Sequence, residues 1–239
     1  MIGGVSFEDA LGRKIPFEFF GCDGSDVLVV FLPSVRNKDI YPYYPRISWG
    51  REFSKFWNVL YLADPYQNDP AYSKAGGSWY IDRSGRSCLA EVSSCVRELC
   101  AVRGFKKVLF YGSSMGGFAA LLLALLTENS SAISECPQIF LQKHPASRVV
   151  VEDFVGEDVS LYEPLHYLKN CTHRANVKIV CSLHDSHYRI HLLPFLDVLE
   201  KERCDIELDV LIYSRERYKK GHVALDKGDA FSLISDYFS

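Results

Sequence analysis

The chain has 239 residues, 48% of them hydrophobic and 24% charged, which is the balance of an ordinary globular fold rather than of a disordered or fibrous chain. Its 27 Lys and Arg against 30 Asp and Glu give a formal net charge of -3, so no basic excess points to nucleic acid or another polyanion. The longest apolar stretch, residues 118–126, is too short to span a bilayer, and no integral membrane segment is expected.

The opening residues lack a basic start, an apolar run and a small-residue cleavage site, so no secretory signal is expected. Residues 14–20 (Lys14-Ile-Pro-Phe-Glu-Phe-Phe20) and what precedes them predict an antiparallel edge hairpin. Buried strands follow at residues 26–33, which end on Pro33, and at residues 58–65. Leu89, Val92, Val96 and Leu99 recur at helical spacing with Gly104 as the stop. Residues 107–112 form the next apolar strand. Residues 116–127, nearly all small or apolar, predict a helix buried against a sheet. A weaker strand lies at residues 132–136, then strands at 177–183 and 206–213. Helices at 192–202 and 228–238 complete the chain. Strand and helix alternate throughout, which predicts a single α/β domain over residues 1–239 with a mainly parallel sheet covered on both faces. The eight Cys, at positions 22, 88, 95, 100, 136, 171, 181 and 204, form no CxxC pair. Reduced, packed thiols in a cytoplasmic protein are expected.

Gly112-Ser-Ser-Met-Gly-Gly117 follows the strand at 107–112 and opens the apolar helix. This is G-x-S-x-G in the strand-turn-helix setting the motif requires, and it presents the Ser114 hydroxyl at the C-terminal edge of the sheet. The Met115 amide, at the helix start, is placed to donate to a developing oxyanion. A serine hydroxyl needs a base, and His222 lies beyond the last strand, after Gly221 and before the terminal helix. Asp185, closing the strand at 177–183, fits the acid that orients the imidazole. Asp153, Asp158, Asp205 and Asp209 compete for that role. The loop that starts at Leu32 supplies Ser34 or Val35 as the second oxyanion amide.

His184, His187 and His191 are spaced like a small metal cluster, but only His187 and His191 share a helical face, so a polar rim beside the site is expected rather than a metal. The aromatic loops 41–49 and 76–82 fall on the ligand-binding edge of such a sheet. Arg46, Trp49, Trp79 and Tyr80 are therefore candidates to line a substrate cleft, set against ordinary rim packing, and Gln138 is a further candidate.

Residues 112–120 (Gly112-Ser-Ser-Met-Gly-Gly-Phe-Ala-Ala120), with Cys136-Pro-Gln138, residues 183–188 (Leu183-His-Asp-Ser-His-Tyr188) and Gly221-His222, resemble the small α/β-hydrolase-fold proteins of bacterial surface-polysaccharide loci. That group is similar to capsular polysaccharide O-acetyltransferases and, more distantly, to the acetyltransferase-like component of accessory Sec systems. The Pro45-Arg-Ile-Ser-Trp49 and Asp64-Pro65 segments share the likeness, which covers residues 26–225 in islands. It implies an α/β-hydrolase fold, Ser114 as acyl carrier, Asp185 as acid and His222 as base. It also implies acyl transfer from a small-molecule donor such as acetyl-CoA to a carbohydrate acceptor, with no bound cofactor. Cys136 stands where that group has Asn. An esterase using water and a non-catalytic component of the same fold are the alternatives, because fold does not choose substrate.

Overall fold

The computed structural model describes residues 5–8, 14–36, 40–156, 158–202, 206–215 and 221–238. Part of the expected loop before His222, residues 218–220, and Cys204 and Asp205 lie outside them. Among the described residues eight strands form one sheet: β1 (Val5–Glu8), β2 (Lys14–Phe20), β3 (Val27–Phe31), β4 (Asn58–Leu62), β5 (Lys107–Ser113), β6 (Ser130–Glu135), β7 (Ala175–Ser182) and β8 (Ile206–Tyr213). Their order is β1-β2-β4-β3-β5-β6-β7-β8. β1 pairs antiparallel with β2, and β2 with β4; every pairing from β4 through β8 is parallel.

β3, β4 and β5 read as continuous apolar runs because each is covered on both faces, whereas the edge strand β8 has half-buried and exposed positions along its length. On one face Leu28, Val30, Leu60, Phe110, Ala132 and Val177 join a large core. On the other, their neighbours Val29, Phe31, Val59, Leu109, Tyr111 and Ile133 join a second core. The helices are α1 (Gly50–Phe53), α2 (Leu89–Arg103), α3 (Met115–Leu126), α4 (Pro145–Val150), α5 (Pro164–Asn170), α6 (Leu193–Glu202) and α7 (Lys227–Phe238). α2 and α3 supply the first core, and α7 supplies Ala230 and Ile234 to the second. Met115 through Leu125 are all buried, which explains why α3 is apolar on every side. α2 ends as expected on Gly104, in the left-handed conformation at φ 73°.

Two elements differ from expectation. The weak strand at 132–136 is a fully buried central strand, β6. Its serines lowered the apparent hydrophobicity, but Ser134 caps the Gly117 carbonyl at 2.7 Å and so lies satisfied in the interior. The helix expected from residue 192 is entered through a π-helical turn, Tyr188–Leu192, which follows directly on the loop that carries Asp185. Among the described residues no helix is long and apolar enough to cross a membrane.

Candidate active site

β5 ends at Ser113 and α3 begins at Met115, and Ser114 turns the corner between them at φ 59°, ψ -117°. A side-chain-bearing residue holds that conformation only when its surroundings fix it. Here the Ser114 amide donates to the Glu135 carbonyl at 2.9 Å, and its own carbonyl accepts from the amides of Phe118 at 3.0 Å and Gln138 at 3.3 Å. The glycines around it are steric requirements. A Cβ at Gly112 would strike the Gly116 carbonyl, and one at Gly116 would lie 2.8 Å from the Leu32 oxygen and 2.9 Å from that of Pro33. That approach sets the loop after β3 against the first turn of α3. The amides of Leu32 and Arg36 bond to the carbonyls of Tyr111 and Gly76. Those of Ser34, Val35 and Met115, the expected oxyanion donors, have no protein acceptor among the described residues. The Ser34 hydroxyl is occupied with Ser113, bonding its Oγ at 3.0 Å.

Asp185 and His222 meet. His222 Nδ1 donates to Asp185 Oδ2 at 2.7 Å, and the other carboxylate oxygen accepts the His187 amide at 2.9 Å. Gly221, at φ 96°, supplies the turn before the histidine. The Asp185 side chain is closed to solvent, whereas the His222 ring is 44% exposed. Burial pushes the Asp185 carboxyl up, but the bonds from His222 and from the His187 amide outweigh it and hold the group at about 2. The competing acids lie elsewhere: Asp209 pairs with Lys178 on the sheet edge at 3.1 Å, Asp153 and Asp158 are exposed, and Asp205 lies outside the described residues. Ser114 is tied by backbone bonds to residues 135 and 138, and between them the Cys136 Sγ lies within 4.8 Å of ligating atoms of both Asp185 and His222.

The three histidines weighed as a cluster separate. His184 bonds Ser214 Oγ through Nε2 at 3.0 Å. His187 and His191 are buried and join His144 instead. His187 is the centre, with its ring 4.3 Å from that of His222, 4.9 Å from His191 and 5.4 Å from His144. Its Nδ1 donates to the Cys136 carbonyl at 2.8 Å. Burial and the neighbouring imidazoles push His144 down to about 4 and His191 to about 3, and His187 is lowered by the same causes. These rings are neutral companions of His222. Among the described residues the one set of ligating atoms compact enough for a metal is Cys136, Asp185 and His222. Its carboxylate and imidazole already bond each other. The Cys136 thiol, buried and raised by a hydrogen bond with Cys181 and by burial, is a protonated neighbour rather than a thiolate ligand.

The expected cleft-lining residues fare differently. Trp79 and Tyr80 are wholly buried and Gln138 is 1% exposed, with Trp79 Nε1 donating to Gln138 Oε1 at 2.9 Å. They pack the edge from within and present no face to a ligand. Their loop is anchored by Asp64, whose buried carboxylate accepts the Ser78 amide at 2.6 Å and the Ser78 hydroxyl. The Arg46 guanidinium also turns inward, to Glu135 Oε2 at 3.0 Å. It lies over the rings of Trp49 and Tyr111 at 5.2 and 5.3 Å. Trp49 is half-buried and sets its edge against Phe31. The sequence assigns no role to the Glu135 and Asp64 carboxylates, and it places His187 only on a polar rim beside the site. For Glu135 the signal was a carboxylate closing an otherwise uncharged strand.

No protein-family model matches the chain, and no curated protein does. Solved structures do. An S-formylglutathione hydrolase from Agrobacterium tumefaciens is 18% identical, with 98% of this chain and 91% of that one covered at a TM-score of 0.67. The capsule O-acetyltransferase of Neisseria meningitidis serogroup A is 20% identical over 99% and 95% of the two chains, at a TM-score of 0.64. A glycosylation-associated protein complex from Streptococcus agalactiae matches 99% of this chain and 46% of that one at 14% identity and a TM-score of 0.66. At such identities the likeness is one of fold, and together with the strand order and the turn at Ser114 it makes the chain an α/β-hydrolase-fold protein.

Proposed function

We propose that the protein is an acyl-transfer enzyme in which Ser114 carries the acyl group, His222 is the base and Asp185 orients it. The observation that carries this reading is the bond between Asp185 and His222, 37 positions apart in the chain, at the sheet edge where Ser114 is held in its strained turn. Ser114 Oγ attacks the carbonyl carbon of an ester or thioester, and its proton passes to His222 Nε2. The amide of Met115, with that of Ser34 or Val35, takes the oxyanion. Losing one such donor typically costs ~3 kcal/mol of barrier. Collapse breaks the bond to the leaving alkoxide or thiolate, which receives the proton from His222. The acceptor hydroxyl then gives its proton to His222 and attacks the acyl-Ser114 carbonyl; collapse releases the ester as His222 returns that proton to Ser114 Oγ.

The acceptor in this reading is a hydroxyl of a bacterial surface carbohydrate and the donor is acetyl-CoA. The likeness to a capsule O-acetyltransferase along nearly the full length of both chains supports it. Hydrolysis is the second reading, favoured by the likeness to an S-formylglutathione hydrolase. Intact mass after exposure to acetyl-CoA, with Ser114→Ala as control, tests the nucleophile and donor together. An acetyl adduct on the parent alone is expected, and incubation with candidate glycans then separates transfer from hydrolysis. If neither acetyl-CoA nor a fluorophosphonate modifies Ser114, the protein is a non-catalytic component of the same fold.

A further inference from the structure

Glu135 closes β6 and its side chain is entirely buried. Its three oxygens reach three separate parts of the site. The main-chain carbonyl accepts the Ser114 amide at 2.9 Å. Oε1 accepts the amide of Leu225, three residues past His222, at 2.5 Å. Oε2 accepts from Tyr111 OH and from Arg46 Nη2, each at 3.0 Å. Arg46 in turn donates to Ser113 Oγ at 3.4 Å. Among the described residues, the loop 221–225 has two hydrogen bonds to the sheet edge: His222 to Asp185 and Leu225 to Glu135. The His222 ring is substantially exposed, so one bond alone would leave it a pivot.

We propose that Glu135 is a positioning residue that fixes His222 relative to Ser114, with its backbone holding the nucleophile's turn and its carboxylate holding the loop that delivers the base. Arg46 and Tyr111 are the counterparts that keep the buried carboxylate in place. A buried carboxylate is tolerated only when paired and hydrogen-bonded, and here every oxygen is taken. The inference rests on the serine acyl-transfer reading, but its test does not need catalysis.

The test compares two double variants that bury no lone charge. Glu135→Gln with Arg46→Met keeps an acceptor for the Leu225 amide, and Glu135→Leu with Arg46→Met removes it. Replacing a buried ion pair by apolar groups is often neutral for stability, so both variants are expected to fold, as circular dichroism would show. If the Leu variant does not fold, Leu225→Pro, which deletes the amide at that position, takes its place, with Leu225→Ala as the control for the buried side chain that is lost with it. The first readout is the downfield proton resonance of the Asp185–His222 hydrogen bond, assigned with Asp185→Asn. It is expected to persist in the Gln variant and to broaden into exchange with water in the Leu variant. The second is the rate of Ser114 modification by a fluorophosphonate, expected at least tenfold slower in Leu than in Gln. With an ester substrate, the loss should fall on kcat and leave KM in place. An unchanged resonance and equal rates in the two variants would overturn the proposal. A wild type that shows the resonance yet never reacts at Ser114 would instead overturn the catalytic reading and leave the clamp standing.

Discussion

Asp185→Asn is nearly isosteric, and the structure dictates how the new side chain must lie. Oδ1 of Asp185 accepts the His187 amide, and only the carboxamide oxygen can take that place. The new NH₂ group is thereby turned toward His222 Nδ1, which now lies 2.7 Å from the other oxygen. Two donors cannot share that contact, so His222 moves its proton to Nε2, the nitrogen that receives the proton of Ser114 in the proposed mechanism. A loss of ~10⁴ in acylation rate is expected, equivalent to ~5.5 kcal/mol of barrier. The fold and the conformation of Ser114 should be untouched. The assay is the second-order rate of fluorophosphonate attachment to Ser114, followed by intact mass, alongside the burst of nitrophenol from an acetyl ester. A variant within tenfold of the parent would refute the reasoning, since the base would then be working without this carboxylate.

Asp185 also predicts an acid limb of stability. Its carboxyl moves from 3.8 in the unfolded chain to about 2 in the fold, so the stabilisation is complete above pH 4 and disappears as pH falls through about 2. The amount is ~2 kcal/mol; urea titrations at pH 5 and pH 2 should show it, and Asp185→Asn should remove that share of the slope. Glu163 runs the other way. Burial pushes its carboxyl up to about 7, against the bond from the Leu141 amide and the charge of Lys143. The fold therefore loses stability as pH rises from 4.5 through 7. Glu163→Gln, which still offers Oε1 to Leu141, should raise the melting temperature at pH 8 and change it little at pH 4, and an equal shift at both would contradict the assignment. At Gly112, any Cβ meets the backbone carbonyl of Gly116, an atom that cannot move without unwinding the start of α3. Gly112→Ala should cost at least the ~1–3 kcal/mol of an overpacked core in a denaturant titration; a cost below 0.5 kcal/mol, taken as about the scatter of a surface substitution, would mean the turn is not as tight as described.

Much of this architecture is legible in one sequence because it rests on local signals. The β-branched run at residues 27–31, the all-apolar face of α3 and the small residues at 112 and 116 each specify their own segment, and chain order places Asp185 and His222 after successive strands. What the sequence hides is the direction in which a side chain turns once the segments assemble. Trp79 and Tyr80 look like a sugar-binding platform on a rim loop, yet consecutive left-handed residues, φ 52° and 61°, roll both rings into the interior. Arg46 looks like a free cation among aromatics. Its charge is spent on Glu135, a partner 89 positions away, and no periodicity records a pairing of that kind.

Glu135 shows why such residues escape a linear reading and why they matter. Its four partner residues come from the loop after β3, from β5, from the turn at Ser114 and from the loop after β8. Each of these carries, or immediately adjoins, a group the proposed chemistry needs. A triad built on separate loops has a geometric problem that its three members cannot solve by themselves. The Asp185–His222 bond fixes the imidazole to β7, but nothing in that bond fixes β7's loop to the turn after β5. A residue on the strand between them, with its main-chain carbonyl on the nucleophile's amide and its satisfied carboxylate on the base's loop, closes that gap. Its burial is what makes the closure rigid, because moving the loop 221–225 would leave Oε1 without its donor and out of reach of water, at a cost of ~1–3 kcal/mol.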